Sequence, residues 1–161
     1  MAKFPEELTE ICKDPETIKA LVTLDEDGNP HVVVKNSLSI LDDGAIAYLE
    51  LIDTCHTQKN MLRSYNFKKP VAINITNLKR NISYQIKGHP LKSIDDGPIW
   101  EQYLDQIWSI MPDVDPAWVW LIEADDVINE NCEVRKKEED ERLYPRASFW
   151  HRYLGERLPK K

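Results

Sequence analysis

The chain has 161 residues, 42% of them hydrophobic, which suits one soluble domain with a sizeable core. Its formal net charge of −7 argues against a phosphate-backbone partner, and no apolar run approaches the length of a membrane span. The first residues, Met-Ala-Lys-Phe-Pro-Glu-Glu, lack the apolar stretch of a signal peptide, and Cys12, Cys55 and Cys132 are odd in number and far apart, as reduced thiols would be, so a cytoplasmic small-molecule protein is expected.

In chain order, residues 4–12 read as a short helix, because Leu8, Ile11 and Cys12 have helical spacing. Residues 17–24 read as a strand, Asp27-Gly28-Asn29-Pro30 as a turn, and residues 31–41 as a second strand. Asp42-Asp43-Gly44 turns the chain into a third strand, 45–52, and the regular spacing is that of a sandwich or small barrel. A helix over 57–65 interrupts the meander, and strands at 71–76 and 82–91 follow; in the latter, Ile82, Tyr84 and Ile86 face one way. Residues 98–111 form an amphipathic helix whose stripe of Trp100, Tyr103, Leu104, Ile107, Trp108 and Met111 is expected in the core. The last strand, 117–122, is apolar on both faces, so the face away from the barrel interior needs cover from a helix or a second subunit. Residues 133–142 are almost all charged and read as a solvated helix or linker, and Phe149, Trp150, Tyr153 and Leu154 as one more short helix. The expected division is a domain over 1–128 and a charged extension over 129–161 that docks on the barrel or on a partner chain.

The densest chemical signal is Thr57-Gln58-Lys59-Asn60, opening a helix shortly after a strand. A helix N-terminus presents unpaired N–H groups and a favourable dipole to an anion, and His56, Lys59 and Arg63 add cationic character. An ordinary N-cap at Thr57 or Thr54 explains the same residues. Cys55-His56 with His31, His89 and Cys132 lacks paired metal-ligand spacing, so no metal is expected. Asp25, Glu26, Asp27, Asp42 and Asp43 fit turn chemistry.

Several segments in order carry a resemblance. Leu-Val-Thr-Leu-Asp-Glu-Asp-Gly-Asn-Pro-His-Val-Val-Val (21–34) looks like the opening hairpin of the pyridoxamine phosphate oxidase-like FMN-binding split barrels. Asn36-Ser37 followed by Ile40-Leu41-Asp42 resembles their second strand, and Thr57-Gln58-Lys59-Asn60 is similar to a Lys-Thr-x-x-Asn phosphate segment. Tyr84-Gln85-Ile86-Lys87-Gly88, then Asp96-Gly97-Pro98, matches the late strand and the turn into the next helix. The resemblance spans about residues 17–122 and departs from the pattern at His56, where a Lys is usual. Imidazole is only partly charged at neutral pH, so Lys59, Arg63 or a partner-chain Arg would have to compensate.

The resemblance implies a mainly β fold, a six-stranded antiparallel split β-barrel with flanking helices, that binds FMN as a homodimer with the flavin at the interface. It implies that His56, Thr57, Lys59 and Asn60 hold the phosphate, while Val34, Lys35, Asn36 and Ser37 meet the polar edge of the flavin ring. Lys35 would tune the potential if it points inward; a solvent-facing strand edge is the other reading of Lys35 and Asn36. No residue presents itself as an acid or base, so no catalytic residue is named. The expected activity is that of an FMN-dependent oxidoreductase or electron carrier acting on a small molecule. A flavin- or ligand-binding module without turnover, or a deazaflavin or haem binder on the same barrel, are the alternatives.

Overall fold

The computed structural model describes residues 3–141. In chain order the elements are α1 (Glu6–Lys13), β1 (Ile18–Leu24), β2 (Pro30–Val34), β3 (Ser39–Ile40), β4 (Ile46–Glu50), α2 (His56–Phe67), β5 (Val71–Asn77), β6 (Ile82–Ile94), α3 (Gly97–Trp108), β7 (Trp118–Asn129) and α4 (Cys132–Asp140). The seven strands make one antiparallel sheet in the order β2-β1-β5-β6-β7-β4-β3.

That order explains the curl. β2 and β3 lie on opposite edges of the sheet, yet only residues 35–38 join them. Four residues reach roughly 14 Å at full extension, so the two edges must come close together. The turn itself is held by Leu38 N–H donating to the Lys35 carbonyl at 3.1 Å, and it buries Leu38 completely. The Lys19 ammonium donates to the Leu38 carbonyl at 2.8 Å, and burial lowers the Lys19 pKa. This turn divides the single strand expected over 31–41, so the barrel has seven strands and not six.

Period-two burial in β5, with Val71, Ile73, Ile75 and Asn77 inward, and in β6, with Ile82, Tyr84 and Ile86 inward, builds the barrel interior. Trp120, Tyr48, Ile122 and Met61 fill it, with Leu8 and Ile11 entering from α1. α1 is pinned there by Tyr84, whose hydroxyl donates to Glu7 at 2.6 Å; burial and that carboxylate push its pKa up to about 12. Asp25 shapes the β1–β2 turn: its carboxylate accepts from the backbone of Asn29 and Asp27, and these bonds lower its pKa. β6 carries irregularities at Lys87/Gly88 and Pro90/Lys92 that bend it along β7.

The helix stripe expected in the core behaves differently. α3 stops at Trp108; of the six stripe residues only Tyr103 is buried, while Trp108 and Met111 are exposed. Tyr103 packs on Ala47, Leu49, Val119 and Leu121, with Trp100 and Ile107 at the margin. This cluster is the cover that β7 needed: the outer face of β4 and β7 is closed by a helix of the same chain. Trp120 points the other way, into the interior, where its Nε1 donates to Gln58 Oε1 at 2.7 Å. The argument for a dimer from a bare β7 face is therefore removed. β7 itself runs on to Asn129, and the charged run, read as a solvated helix or linker, begins in α4. The expected short helix around Phe149 to Leu154 lies outside the described residues. No helix among the described residues is long and apolar enough to cross a membrane.

Candidate functional site

Where the two sheet edges meet, they leave a cleft of about 590 Å³. Val34, Lys35, Asn36 and Ser37 form one wall, Leu49 to Ile52 the other, and Tyr103, Gln106, Ile107 and Ile110 a third. That volume lies in the range of small-molecule sites. Ser37 stitches the seam: its Oγ accepts from Leu49 N–H at 3.0 Å and donates to the Leu49 carbonyl at 3.4 Å. Lys35 turns inward, its Nζ donating to Glu50 Oε2 at 2.7 Å, with the two side chains 13% and 4% exposed. The ammonium also lies 5.1 Å from the centre of the Tyr48 ring. Burial pushes the Tyr48 phenol well above its usual pKa, and Glu50 adds to the shift, so the ring stays neutral beside the pair. The Tyr48 hydroxyl is buried without a hydrogen-bond partner. Of the residues expected at the ring edge, Lys35 is thus internal and Asn36 exposed.

The other expected cluster gathers on α2. Its N-cap is Cys55, not Thr54 or Thr57; the Cys55 Sγ accepts from Gln58 N–H at 3.3 Å. Thr57 is buried, and its Oγ1 lies 3.3 Å from His31 Nε2. The His56 ring stands 6.0 Å from the His31 ring, centre to centre. Asn60 is buried and donates to Thr23 Oγ1 at 3.1 Å, while its Oδ1 accepts from Arg63 at 3.2 Å. Arg63 also pairs with Glu26 at 3.5 Å. Lys59 is exposed. The His31 imidazole therefore sits against Thr57 with the His56 ring beside it, and Arg63 is already engaged by Asn60 and Glu26.

β2 connects the two clusters. His31, three residues before Val34, sits roughly 10 Å from it along the strand. On the other side Ile52, at the end of the cleft wall, leads directly to the Cys55 cap, whose N–H donates to the Ile52 carbonyl at 3.2 Å. The apolar-walled cleft and the helix N-terminus with its two imidazoles thus lie toward opposite ends of β2, Val34 and His31 pointing to opposite faces of the strand. His31 and Glu50 are the members that the sequence reading missed. The register of the β1–β2 hairpin, which sets His31 opposite Thr23, is the signal that leads to the first.

No protein-family model matches this chain, and no curated protein sequence matches it. Solved structures do match. A Lactobacillus delbrueckii protein proposed to be a pyridoxamine 5'-phosphate oxidase is 22% identical, with a TM-score of 0.59 over 78% of this chain and 93% of that one. An FMN-binding protein from Syntrophomonas wolfei is 10% identical, with a TM-score of 0.61 over 77% of this chain and 86% of that one. The haem storage protein HutZ from Vibrio cholerae is 12% identical, with a TM-score of 0.54 over 80% and 95%. The fold is the pyridoxamine phosphate oxidase-like split barrel.

On this split barrel the residues present can be set against the parts of a flavin nucleotide. The cleft offers Val34, Ile52, Ile107 and Ile110 to a flat apolar ring, and Lys35, Glu50 and Asn36 to a polar edge. The start of α2, with His31 and His56, offers partial positive charge to a phosphate. Among the described residues lining the cleft there is no His, Cys or Met, the usual haem ligands apart from Tyr. The tyrosine that lines it, Tyr103, is hydrogen-bonded hydroxyl to hydroxyl with Ser39 at 2.6 Å, and burial pushes its pKa up to about 12. A second, more polar cavity of about 470 Å³, lined by Cys12 and Lys19, adjoins the cleft through Asn36, Ser37 and Gln106. Among the described residues, no three His, Cys, Asp or Glu side chains are placed to hold a metal.

Proposed function

We propose that this chain binds FMN, with the ring in the cleft and the phosphate at the start of α2, and that the bound flavin exchanges electrons with a small molecule. The observation that carries the reading is the cleft that the Val34–Ser37 segment lines on this split barrel, with Lys35 turned into it. In it, Val34, Lys35, Asn36 and Ser37 meet the ring, and His56, Thr57, Lys59 and Asn60, joined by His31, serve the phosphate. The flavin supplies the redox chemistry; the chain supplies binding, orientation and the field around the ring.

Equilibrium dialysis tests the reading. FMN should be retained at micromolar protein, and riboflavin, which lacks the phosphate, at least tenfold more weakly. No retention of FMN sinks the assignment; equal retention of both removes the phosphate role from the α2 start. In the same titration His56→Lys should tighten FMN severalfold while leaving riboflavin unchanged, because it places a full charge where an imidazole stands. An unaltered FMN affinity excludes His56 from the phosphate contact.

The proposal includes a homodimer with the flavin at the subunit interface. What supports it is the outer face of β1 and β2: Val32 and Val34 are 62% and 54% exposed, and Ile18 beside them 43%. These residues and Ala20 and Val22 share one face by register. Val34 belongs to both this face and the cleft, so a second subunit docked there would reach the ligand. Light scattering should give twice the chain mass, and Val32→Glu should halve it. A wild-type monomer that holds FMN would rule out the shared site.

A further inference from the structure

We propose that Glu50 sets the reduction potential of a bound flavin by holding Lys35 and cancelling its charge. The proposal rests on the FMN reading above and extends it to a residue outside the expected set. Lys35 lines the cleft on the wall assigned to the polar edge of the ring. A lone ammonium there would favour the reduced flavin, which carries additional negative charge. This ammonium is not alone. Its Nζ donates to Glu50 Oε2 at 2.7 Å, and Glu50 lines the same cleft. The carboxylate is 4% exposed, so little water screens it, and its charge reaches the ring region with about the same weight as that of the lysine. The Tyr48 ring, 5.1 Å from the Nζ, fixes the ammonium from the third side. A ligand in the cleft therefore faces a neutral pair, and the flavin is left harder to reduce than it would be beside a lysine alone.

Two variants loaded with FMN test this, with the potential read by anaerobic titration against a reference dye. Glu50→Gln keeps a hydrogen-bond acceptor for Lys35 and removes the negative charge. It should bind reduced FMN at least tenfold more tightly, relative to oxidised FMN, than the wild type does. For a two-electron couple that corresponds to an upward shift of about 30 mV. The double variant Lys35→Met/Glu50→Leu removes both charges at once. Replacing a buried ion pair by apolar side chains is often neutral for stability, so it should fold, and its potential should match that of the wild type. A Glu50→Gln protein that holds FMN at the wild-type potential overturns the role of Glu50. So does a double variant whose potential falls, since Lys35 would then act on the flavin despite its partner. Wild-type protein that retains no FMN in dialysis overturns the flavin reading itself, and this proposal with it.

Discussion

Lys35→Met should lower the thermal midpoint by roughly 6–12 °C, with a loss of about 3 kcal/mol, a figure typical of breaking one side of a buried ion pair. The cause is what remains. Glu50 is 4% exposed, and Lys35 Nζ is the cation that holds it. A methionine fills most of the volume and supplies no donor, so the carboxylate stays buried without its charge partner. The size of the effect separates this variant from Lys35→Met/Glu50→Leu, which should recover most of the stability. A calorimetric scan of both proteins checks the pair as a unit. If the single variant melts with the wild type, the contact at 2.7 Å contributes nothing in solution.

Gly88→Ala should be comparably damaging, although it adds one methyl group. A Cβ built at Gly88 falls inside van der Waals contact of the Glu123 carbonyl oxygen and lies 3.1 Å from the carbonyl carbon. Both atoms are backbone of the paired strand β7, opposite one of the irregular steps in β6. No rotamer relieves that clash, so the β6–β7 ladder must part locally, at about 3 kcal/mol. Gly28→Ala provides the contrast. Nothing lies within 4 Å of its added Cβ, and the substitution meets only the strain of φ +83°, about 1 kcal/mol. Urea titration of the two variants should give midpoints in that order, both below the wild type. Equal midpoints would mean that the close approach of β6 to β7 is absent in solution.

The alternation of large apolar residues at Val71, Ile73 and Ile75, and again at Ile82, Tyr84 and Ile86, is a local signal, and both strands lie where it puts them. The start of α2 was legible for the same reason, with the cap two residues before Thr57, because a cysteine sulfur can take the place usually held by oxygen. What the sequence could not reveal was which edges meet. The division of residues 31–41 at Lys35 follows from the closure of the sheet, a constraint imposed by residues far along the chain. The Lys35–Glu50 and His31–Thr57 pairs join positions 15 and 26 residues apart, and no short-range period announces either. The helical spacing of the stripe on α3 points to the core, but amphipathicity shows which face is apolar, not how much of it one chain covers.

The seam at residues 35–38 has a dynamic consequence. Leu49 N–H is held there by a serine hydroxyl, whereas in β1, β5 and β6 the amides sit in backbone ladders with a neighbour on each side. Hydrogen exchange at the seam can therefore proceed by local opening, while the central strands need far larger excursions. The cleft lies along that line. Separating its walls breaks the Ser37–Leu49 bonds and the Lys35–Glu50 pair while the central strands keep their ladders, so the few contacts that close the cleft also add to the stability of the fold.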